Sequence, residues 1–217
     1  MLSDDEGVAA VRLARRALEK ALVHTDARPT PGGREESLPP VFEELRGVFV
    51  TLKRHPSDAL RGCIGYPLPV LPLRTALERA AVSAAVEDYR FRPVHGADLP
   101  HIAIEVSVLT PPAPIRFSHP EEAVHAVQVG RDGLIVEGFG SSGLLLPQVA
   151  PEEGWSAEDL LEGTCEKAGL TPNAWKDPRV TVKRFEAEIF REVAPGGDVV
   201  RVNAAELTPG ASSAPKN

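Results

Sequence analysis

The residues best suited to chemistry lie in one short segment, LRGCIGY at 60–66. Cys63, one of two cysteines in the chain, lies between Gly62 and Gly65 and two residues after Arg61. Glycine lets a ligand or a second backbone come close, because it has no Cβ. Arginine binds carboxylate or phosphate through a fixed fork of donors, and a nearby positive charge favours a thiolate. The segment therefore predicts a ligand-binding site at Arg61, Gly62 and Gly65, with Cys63 as a candidate nucleophile.

Two predicted strands must position this segment. Residues 48–54 alternate between apolar and polar side chains, HPSD at 55–58 is typical of a turn, and 60–66 returns as an antiparallel strand. The returning strand places three residues of the segment on one face: Arg61, Cys63 and Gly65.

Glu105 is the second candidate for a catalytic role. The segment 102–109 is the clearest strand pattern in the chain, with isoleucine and valine on one face and Glu105 on the other. A carboxylate in mid-strand is costly if it is buried without a partner, and burial raises its pKa toward that of a general base. Glu105 is therefore either a proton-transfer group, an ion-pair partner of Arg61, or a solvated side chain.

Cys63 also has a structural interpretation. Free cysteine is often buried as a small apolar residue, and the glycines beside it could mark a bulge in the strand. The chain has six histidines, but none lies at a spacing from Cys63 that is diagnostic of a catalytic pair. Cys165 lies on one helical stripe with Leu161 and Ala168, which predicts a packing role.

The remaining pattern predicts an α+β fold with a mainly antiparallel sheet and flanking helices. Capping boxes at Ser3 and Ser156 begin helices, and Pro72 begins another that runs to about residue 87. Further strands are expected at 126–129, 134–137, 144–149 and 180–193, the last with a bulge between Val182 and Phe185. The sequence predicts a single domain over 1–205, with a surface connection at 25–40 and a loose tail at 206–217.

Composition narrows the function classes. The 217 residues carry a formal charge of −7, which argues against general nucleic-acid binding. The N-terminal segment is charged from Asp4 onward and has no signal-peptide pattern, and no apolar run approaches the length of a membrane span. Together with two cysteines, these features predict a cytoplasmic protein with reduced thiols and no membrane contact.

Motifs for metals and dinucleotides are weak. The chain has no CxxC, HxxxH or HExxH motif, so no metal site is predicted. Gly138-x-Gly140-x-x-Gly143 fits a dinucleotide-binding pattern, but it lies between two predicted antiparallel strands and begins no helix. A hairpin turn is the expected structure there.

The segment LRGCIGY is similar to the signature of the AMMECR family. Further blocks resemble the family in the same order, including GVFVTLKR at 47–54, AAVSAAVEDYRFRPV at 80–94, IEVSVLTPP at 104–112 and GLLLPQVAPEEGW at 143–155. The resemblance covers nearly the whole chain apart from its ends. It implies a two-lobed α+β protein with the motif residues around a cleft, and family genes that occur beside a Memo-like protein and a radical-SAM enzyme.

Two hypotheses for function follow. The first is an enzyme or enzyme subunit that acts on a small anionic molecule, in which Arg61 orients the ligand, Cys63 supplies a thiol and Glu105 moves protons. A Memo-like protein or a radical-SAM enzyme is the partner that the resemblance suggests, and no cofactor is identified. The alternative is a non-catalytic adaptor module that uses the same surface to bind a protein.

Overall fold

The computed structural model describes residues 1–22 and 38–202. Most of the predicted surface connection at 25–40 and the whole predicted tail at 206–217 lie outside these residues. Within them the chain forms α1 (Asp4–Leu22), β1 (Gly47–Arg54), β2 (Ala59–Tyr66), α2 (Leu73–Val86), β3 (Ile102–Leu109), β4 (Ala113–Pro114), α3 (Pro120–Ala126), β5 (Asp132–Gly138), β6 (Ser141–Leu145), α4 (Val149–Glu153), α5 (Ala157–Lys167), β7 (Thr181–Glu192) and β8 (Val199–Val202). Short 3-10 helices lie at Pro40–Glu43, Gly96–His101 and Pro172–Lys176.

The eight strands are hydrogen-bonded in the order β2-β1-β3-β7-β5-β6, and β4 and β8 each pair with β7. The pairs β1–β2, β4–β7, β5–β6, β5–β7 and β7–β8 are all antiparallel. This arrangement confirms the predicted α+β class with a mainly antiparallel sheet and flanking helices.

The described chain divides into two compact units, one formed by Met1–Val108 with Ile189–Val202 and the other by Leu109–Glu188. The first unit has a core built by α1, α2, β1 and β3. The buried stripe of α1 includes Ala10, Val11, Ala14 and Leu18, because apolar residues recur there at helical spacing. Both segments that carry the candidate site residues, β2 and β3, belong to this unit.

Small side chains let α2 lie directly on β2. Ala76, Ala80 and Ala84 are buried, and a Cβ added to Gly62 would lie only 2.1 Å from the backbone oxygen of Ala84. The absence of a side chain at Gly62 is therefore what lets the helix and the strand approach so closely.

The second unit packs α5 and the buried Trp175 against strands β5 and β7. Cys165 is fully buried in this core, so the predicted packing role is confirmed, and both cysteines are free thiols. The glycine motif at 138–143 lies in the β5–β6 hairpin, with Phe139 and Gly140 at positive φ, as the turn prediction requires.

Three predicted features of this unit are wrong. No strand forms at 126–129, because the Gln128 amide donates to the Asp132 carboxylate at 2.9 Å and the Gln128 carbonyl accepts two turn hydrogen bonds. The strand predicted at 144–149 ends at Leu145, since Val149 begins α4. The bulge expected between Val182 and Phe185 is also absent, because β7 pairs with β5 in unbroken register from Thr181 to Glu186.

The change in apolar parity along β7 has a different cause. Val182 packs in the core of the second unit, and Phe185 lies opposite Gly133 on β5. A Cβ at Gly133 would lie 2.4 Å from the Phe185 ring, so the ring covers the space that the glycine leaves. Val182 and Phe185 are thus buried on opposite faces of the strand, while Arg184 between them is exposed, so alternation alone does not describe β7 here.

Candidate functional site

A bulge lies in the segment that carries the motif. Strands β1 and β2 pair with Thr51 opposite Cys63 and Leu52 opposite Gly62, but the next pair joins Lys53 to Leu60. Arg61 is therefore the extra residue of β2, without a direct partner on β1. The bulge that the neighbouring glycines suggested is present, and it re-aims the arginine.

Both glycines of the motif lie so close to other atoms of the protein that a side chain would not fit. Gly62 lies under the Ala84 carbonyl, and a Cβ at Gly65 would lie 2.3 Å from the Val48 carbonyl oxygen and 2.4 Å from the Phe49 ring. Their contact with a ligand stays a prediction, since the atoms nearest to them belong to the protein itself.

Cys63 is half-buried and lies beside polar groups. The Thr51 hydroxyl donates a hydrogen bond to Sγ at 3.3 Å. Burial raises the pKa of the Cys63 thiol; the Thr51 hydrogen bond and the charge of Arg90 oppose this, while the charges of Glu105 and Asp88 add to it. The cation that acts on the thiol is thus Arg90, whereas the sequence predicted Arg61. At neutral pH this environment favours the protonated thiol.

The Asp88 carboxylate connects the loop after α2 to the motif. It accepts a hydrogen bond from the Cys63 amide at 2.8 Å, and from Arg90 Nη2 at 2.7 Å and Nε at 2.9 Å. Arg90 Nη2 also lies 3.5 Å from the Cys63 carbonyl oxygen. We call this arrangement the Asp88–Arg90 clasp. It lowers the pKa of Asp88, chiefly through the Arg90 hydrogen bonds.

Sequence reasoning missed the clasp. Two acidic residues at the end of a helix, here Glu87 and Asp88, are typical of a solvated helix end, but Asp88 is only 5% exposed. The available signal was an aspartate followed two residues later by an arginine, directly after the helix. Asp177 and Arg179 show the same spacing and the same two-pronged contact, at 2.7 and 3.0 Å.

Glu105 is buried on β3 and pairs with Lys53 of β1, whose Nζ lies 3.4 Å from Oε2. It therefore does not form the ion pair with Arg61 that the sequence allowed, and it is not a solvated side chain. Arg61 donates from Nη2 to the Pro93 carbonyl at 3.2 Å. The structure brings Glu105 close enough to Cys63 for its charge to act on the thiol.

Arg61 also lines a pocket in the first unit. The pocket has a volume of about 330 Å³ and is formed by Arg54, Arg61, Phe91, Arg92, Pro93, His95 and Asp98. We call it the arginine pocket. One wall of the pocket, residues 91–95, follows directly after the clasp. The Val94 amide fixes the far end of this wall by donating a hydrogen bond to the Ala85 carbonyl oxygen at 2.9 Å.

The cations of this pocket lack carboxylate partners. Arg61 is 6% exposed, yet its Nη1 has no hydrogen-bond partner among the described residues. In the same part of the chain, the side chains of Arg54 and Arg92 make no ion pair or hydrogen bond to a carboxylate. The pocket's one carboxylate, Asp98, accepts the His95 backbone amide at 3.0 Å. The arrangement can therefore hold an anion.

The described residues contain neither a cluster suited to a metal ion nor a helix suited to a membrane. No group of three or more histidine, cysteine or acidic side chains in 1–22 and 38–202 is arranged to hold a metal ion. Among the helices of the same ranges, none is both long enough and apolar enough to span a bilayer.

Comparison with known proteins gives consistent matches. A family model described as AMMECR1 matches residues 11–190. A protein of Thermococcus gammatolerans is 51% identical over 203 residues, covering 92% of this chain and 97% of the relative. Protein MJ0810 of Methanocaldococcus jannaschii is 47% identical, covering 92% and 96%. The crystal structure of the uncharacterized protein PH0010 from Pyrococcus horikoshii has a TM-score of 0.80 and 48% identity, covering 93% of this chain and 98% of that one.

Proposed function

This chain belongs to the AMMECR1 family, and we propose that it binds a small anionic molecule in the arginine pocket. The observation that carries the proposal is the gathering of Arg54, Arg61 and Arg92 around one pocket, with no carboxylate partner for any of them within 1–22 and 38–202. Elsewhere in the described chain arginines commonly pair with acids, as Arg15 does with Glu192 and Arg131 with Asp132.

The charge of the whole chain strengthens this argument. With a formal charge of −7, the protein has more acidic than basic side chains, so partners for three arginines are not scarce. Burying most of Arg61 without satisfying Nη1 also costs stability, because an unpaired buried donor loses its hydration. An anion in the pocket would offset the concentrated positive charge.

The sequence also suggests that Cys63 and Glu105 are catalytic residues. A nucleophilic thiol must be ionised, whereas burial raises the pKa of Cys63. Glu105 could act as a base for this thiol, although its charge is already paired with Lys53. Binding of an anion requires none of these steps, so the geometry supports a binding function best.

The experiment that tests binding is a titration of the folded protein with inorganic phosphate, followed by the backbone amide NMR signals. We expect saturable shifts centred on Arg61 and on the wall 91–95, because those residues line the pocket. Arg92→Gln should weaken binding by at least about tenfold, since one charge-assisted hydrogen bond contributes roughly 1.5–3 kcal/mol.

Arg116→Gln is the matched control. Arg116 is also exposed and lies in the other unit, away from the pocket. It should leave the phosphate affinity unchanged. Shifts that never saturate, or equal losses in the two variants, would show nonspecific attraction to surface charge and would contradict the proposed function.

The adaptor alternative is favoured by a separate surface. Leu45, Leu68 and Val70 are 53%, 48% and 64% exposed, and the chain brings their segments together through the bridge between Leu45 and Pro72. Neighbouring exposed apolar side chains are typical of protein interaction sites. The partner to test first is the Memo-like protein that the family resemblance suggests.

A binding measurement with the purified Memo-like protein would decide this alternative. Val70→Glu should abolish binding, whereas Val193→Glu, at a residue 58% exposed in the same unit, should not. Absence of binding by the unmodified chain, or equal effects of both substitutions, would remove this alternative.

A further inference from the structure

From the composition of the arginine pocket we infer that its ligand is a doubly charged organic anion with a flat ring, namely a small aryl phosphate monoester. This inference rests on the proposed function and specifies the ligand class that the pocket would take. It is carried by three features: the charge that the pocket leaves uncompensated, the donors that it offers, and the apolar side chains beside them.

The uncompensated charge is close to two. Arg54, Arg61 and Arg92 contribute three positive charges and Asp98 one negative charge. The Asp98 carboxylate accepts the His95 amide and pairs with none of the three arginines among the described residues. A phosphate monoester carries nearly two negative charges at neutral pH, because its second pKa is about 6. It therefore matches the pocket better than a monocarboxylate or a sulfonate.

The donors suit a group with several equivalent oxygens. Three arginines line one pocket, and one of them, Arg61, is largely buried. Each guanidinium presents a planar fork that matches two oxygens of a phosphate. A phosphate has three terminal oxygens, so it can accept from more than one of these arginines at once.

The apolar part of the lining indicates that the anion is organic. Phe91 and Pro93 lie in the same pocket as the arginines, and Phe91 is only half-buried. The guanidinium of Arg90 lies 5.5 Å from the centroid of the Phe91 ring, so the clasp helps to hold this ring in place. A flat ring on the ligand would cover the remaining apolar surface of Phe91.

The size of the pocket limits the ligand. Its volume of about 330 Å³ lies near the lower end of the range of about 300–1,000 Å³ that small-molecule sites occupy. A phosphate with one ring fits this volume, whereas a dinucleotide would extend far beyond it.

The test compares three probes that separate charge from ring. Phenyl phosphate has both features, inorganic phosphate has the charge without the ring, and benzenesulfonate has the ring with a single charge. At about pH 8, where the ester is a dianion, phenyl phosphate should bind the full chain at least about tenfold more tightly than either of the others.

Phe91→Leu isolates the contribution of the ring. It should reduce the affinity for phenyl phosphate to within about threefold of that for inorganic phosphate. Unchanged binding of inorganic phosphate by this variant shows that the pocket is still folded. Phe139→Leu is the matched control, because the Phe139 ring also lies against an arginine, Arg179, but in the other unit.

The outcomes separate this inference from the proposed function. If inorganic phosphate binds in an Arg92-dependent way but phenyl phosphate binds no more tightly, only the ligand class is wrong. If none of the three probes binds with Arg92 dependence, the proposed function fails as well. A phosphotyrosine peptide that binds more tightly than phenyl phosphate would overturn the assignment to a small molecule, and a peptide that binds more weakly would support it.

Discussion

The backbone amide of Cys63 donates a 2.8 Å hydrogen bond to the carboxylate of Asp88. The side chain of Cys63 and its backbone therefore have separate partners, since Thr51 and not Asp88 donates to the thiol. Asp88 in turn precedes the wall 91–95 of the arginine pocket by three residues. This one hydrogen bond thus links the motif cysteine to the loop that shapes the proposed anion site.

Asp88→Ala should destabilise the protein and weaken phosphate binding. The substitution leaves the Cys63 amide without its acceptor and frees Arg90, which costs about 1–3 kcal/mol in the free energy of unfolding. The affinity for phosphate should fall several-fold, because the wall of the pocket loses one of its anchors. Urea denaturation and phosphate titration measure the two effects.

Asp177→Ala is the control for this prediction. Asp177 contacts Arg179 with the same spacing and geometry, but its carboxylate bonds to no other residue of the described chain. The control should leave both stability and phosphate affinity nearly unchanged. Equal effects of the two alanine substitutions would mean that the Asp–Arg contact, and not the bond to Cys63, matters.

The thiol of Cys63 should react slowly at neutral pH. In a Cys165→Ala background, alkylation of Cys63 should become fast only above its ordinary pKa of 9.0, because burial raises the pKa further. Thr51→Val should raise this pKa again by removing a hydrogen bond to the thiolate, and Glu105→Gln should lower it by removing a negative charge. The two variants thus shift the alkylation profile in opposite directions.

A midpoint of alkylation below about pH 7 would contradict this prediction and would revive the hypothesis of a nucleophilic Cys63. A profile that responds to neither Thr51→Val nor Glu105→Gln would show that these neighbours do not act on the thiol in solution. Cys63→Ser in the same background gives the baseline without the reacting group.

Acid should destabilise the protein partly through Asp88. The clasp lowers the pKa of Asp88 in the folded state, so the unfolded state binds more protons as the pH falls below about 3.9. The stability from this carboxylate is complete above that pH and is lost as the pH falls through the lower folded-state pKa. Asp88→Asn should make the decline in unfolding free energy shallower, and identical slopes would contradict the assignment.

Gly62→Ala should be strongly destabilising. The new Cβ would lie 2.1 Å from the Ala84 carbonyl oxygen, and a backbone atom cannot turn aside as a side chain can. Overpacking of this kind costs about 1–3 kcal/mol in unfolding free energy. Gly197→Ala is the milder comparison, because its nearest atom is 3.1 Å away. Equal denaturation midpoints for the two variants would be inconsistent with the close packing of α2 on β2.

The fold was predictable in those segments whose sequence carries a single structural pattern with no competing signal. The strand expected at 102–109 has the same bounds as β3, since its period-two alternation has no competing signal. The capping box at Ser3 is present with Glu6. Prediction failed at 126–129, where the carboxylate of Asp132 captures a backbone amide that a strand would need. This contact depends on a side chain four residues further along the chain, and the alternation of apolar and polar residues gives no sign of it.

Within the candidate site, the bulge was predictable but the pairings were not. The glycines of the motif indicated a bulge, and the structure has one at Arg61. The partners of its residues come from the loop after α2, and only the tertiary structure places Asp88 against Cys63 and Pro93 against Arg61. The pairing of Glu105 with Lys53 likewise depends on strand order. These contacts join residues that are far apart in the chain, so the local alternation of apolar and polar residues does not reveal them.

The Asp88–Arg90 clasp also has a consequence for aggregation. Strand β2 stands at one end of the hydrogen-bonded order, where an open edge could pair with a strand from another molecule. At Cys63 the outward amide is bound by Asp88, and the carbonyl oxygen lies 3.5 Å from Arg90. Two side chains thus take the place that a ninth strand would occupy at this residue. The clasp makes the end of the sheet a poor template for intermolecular β-pairing.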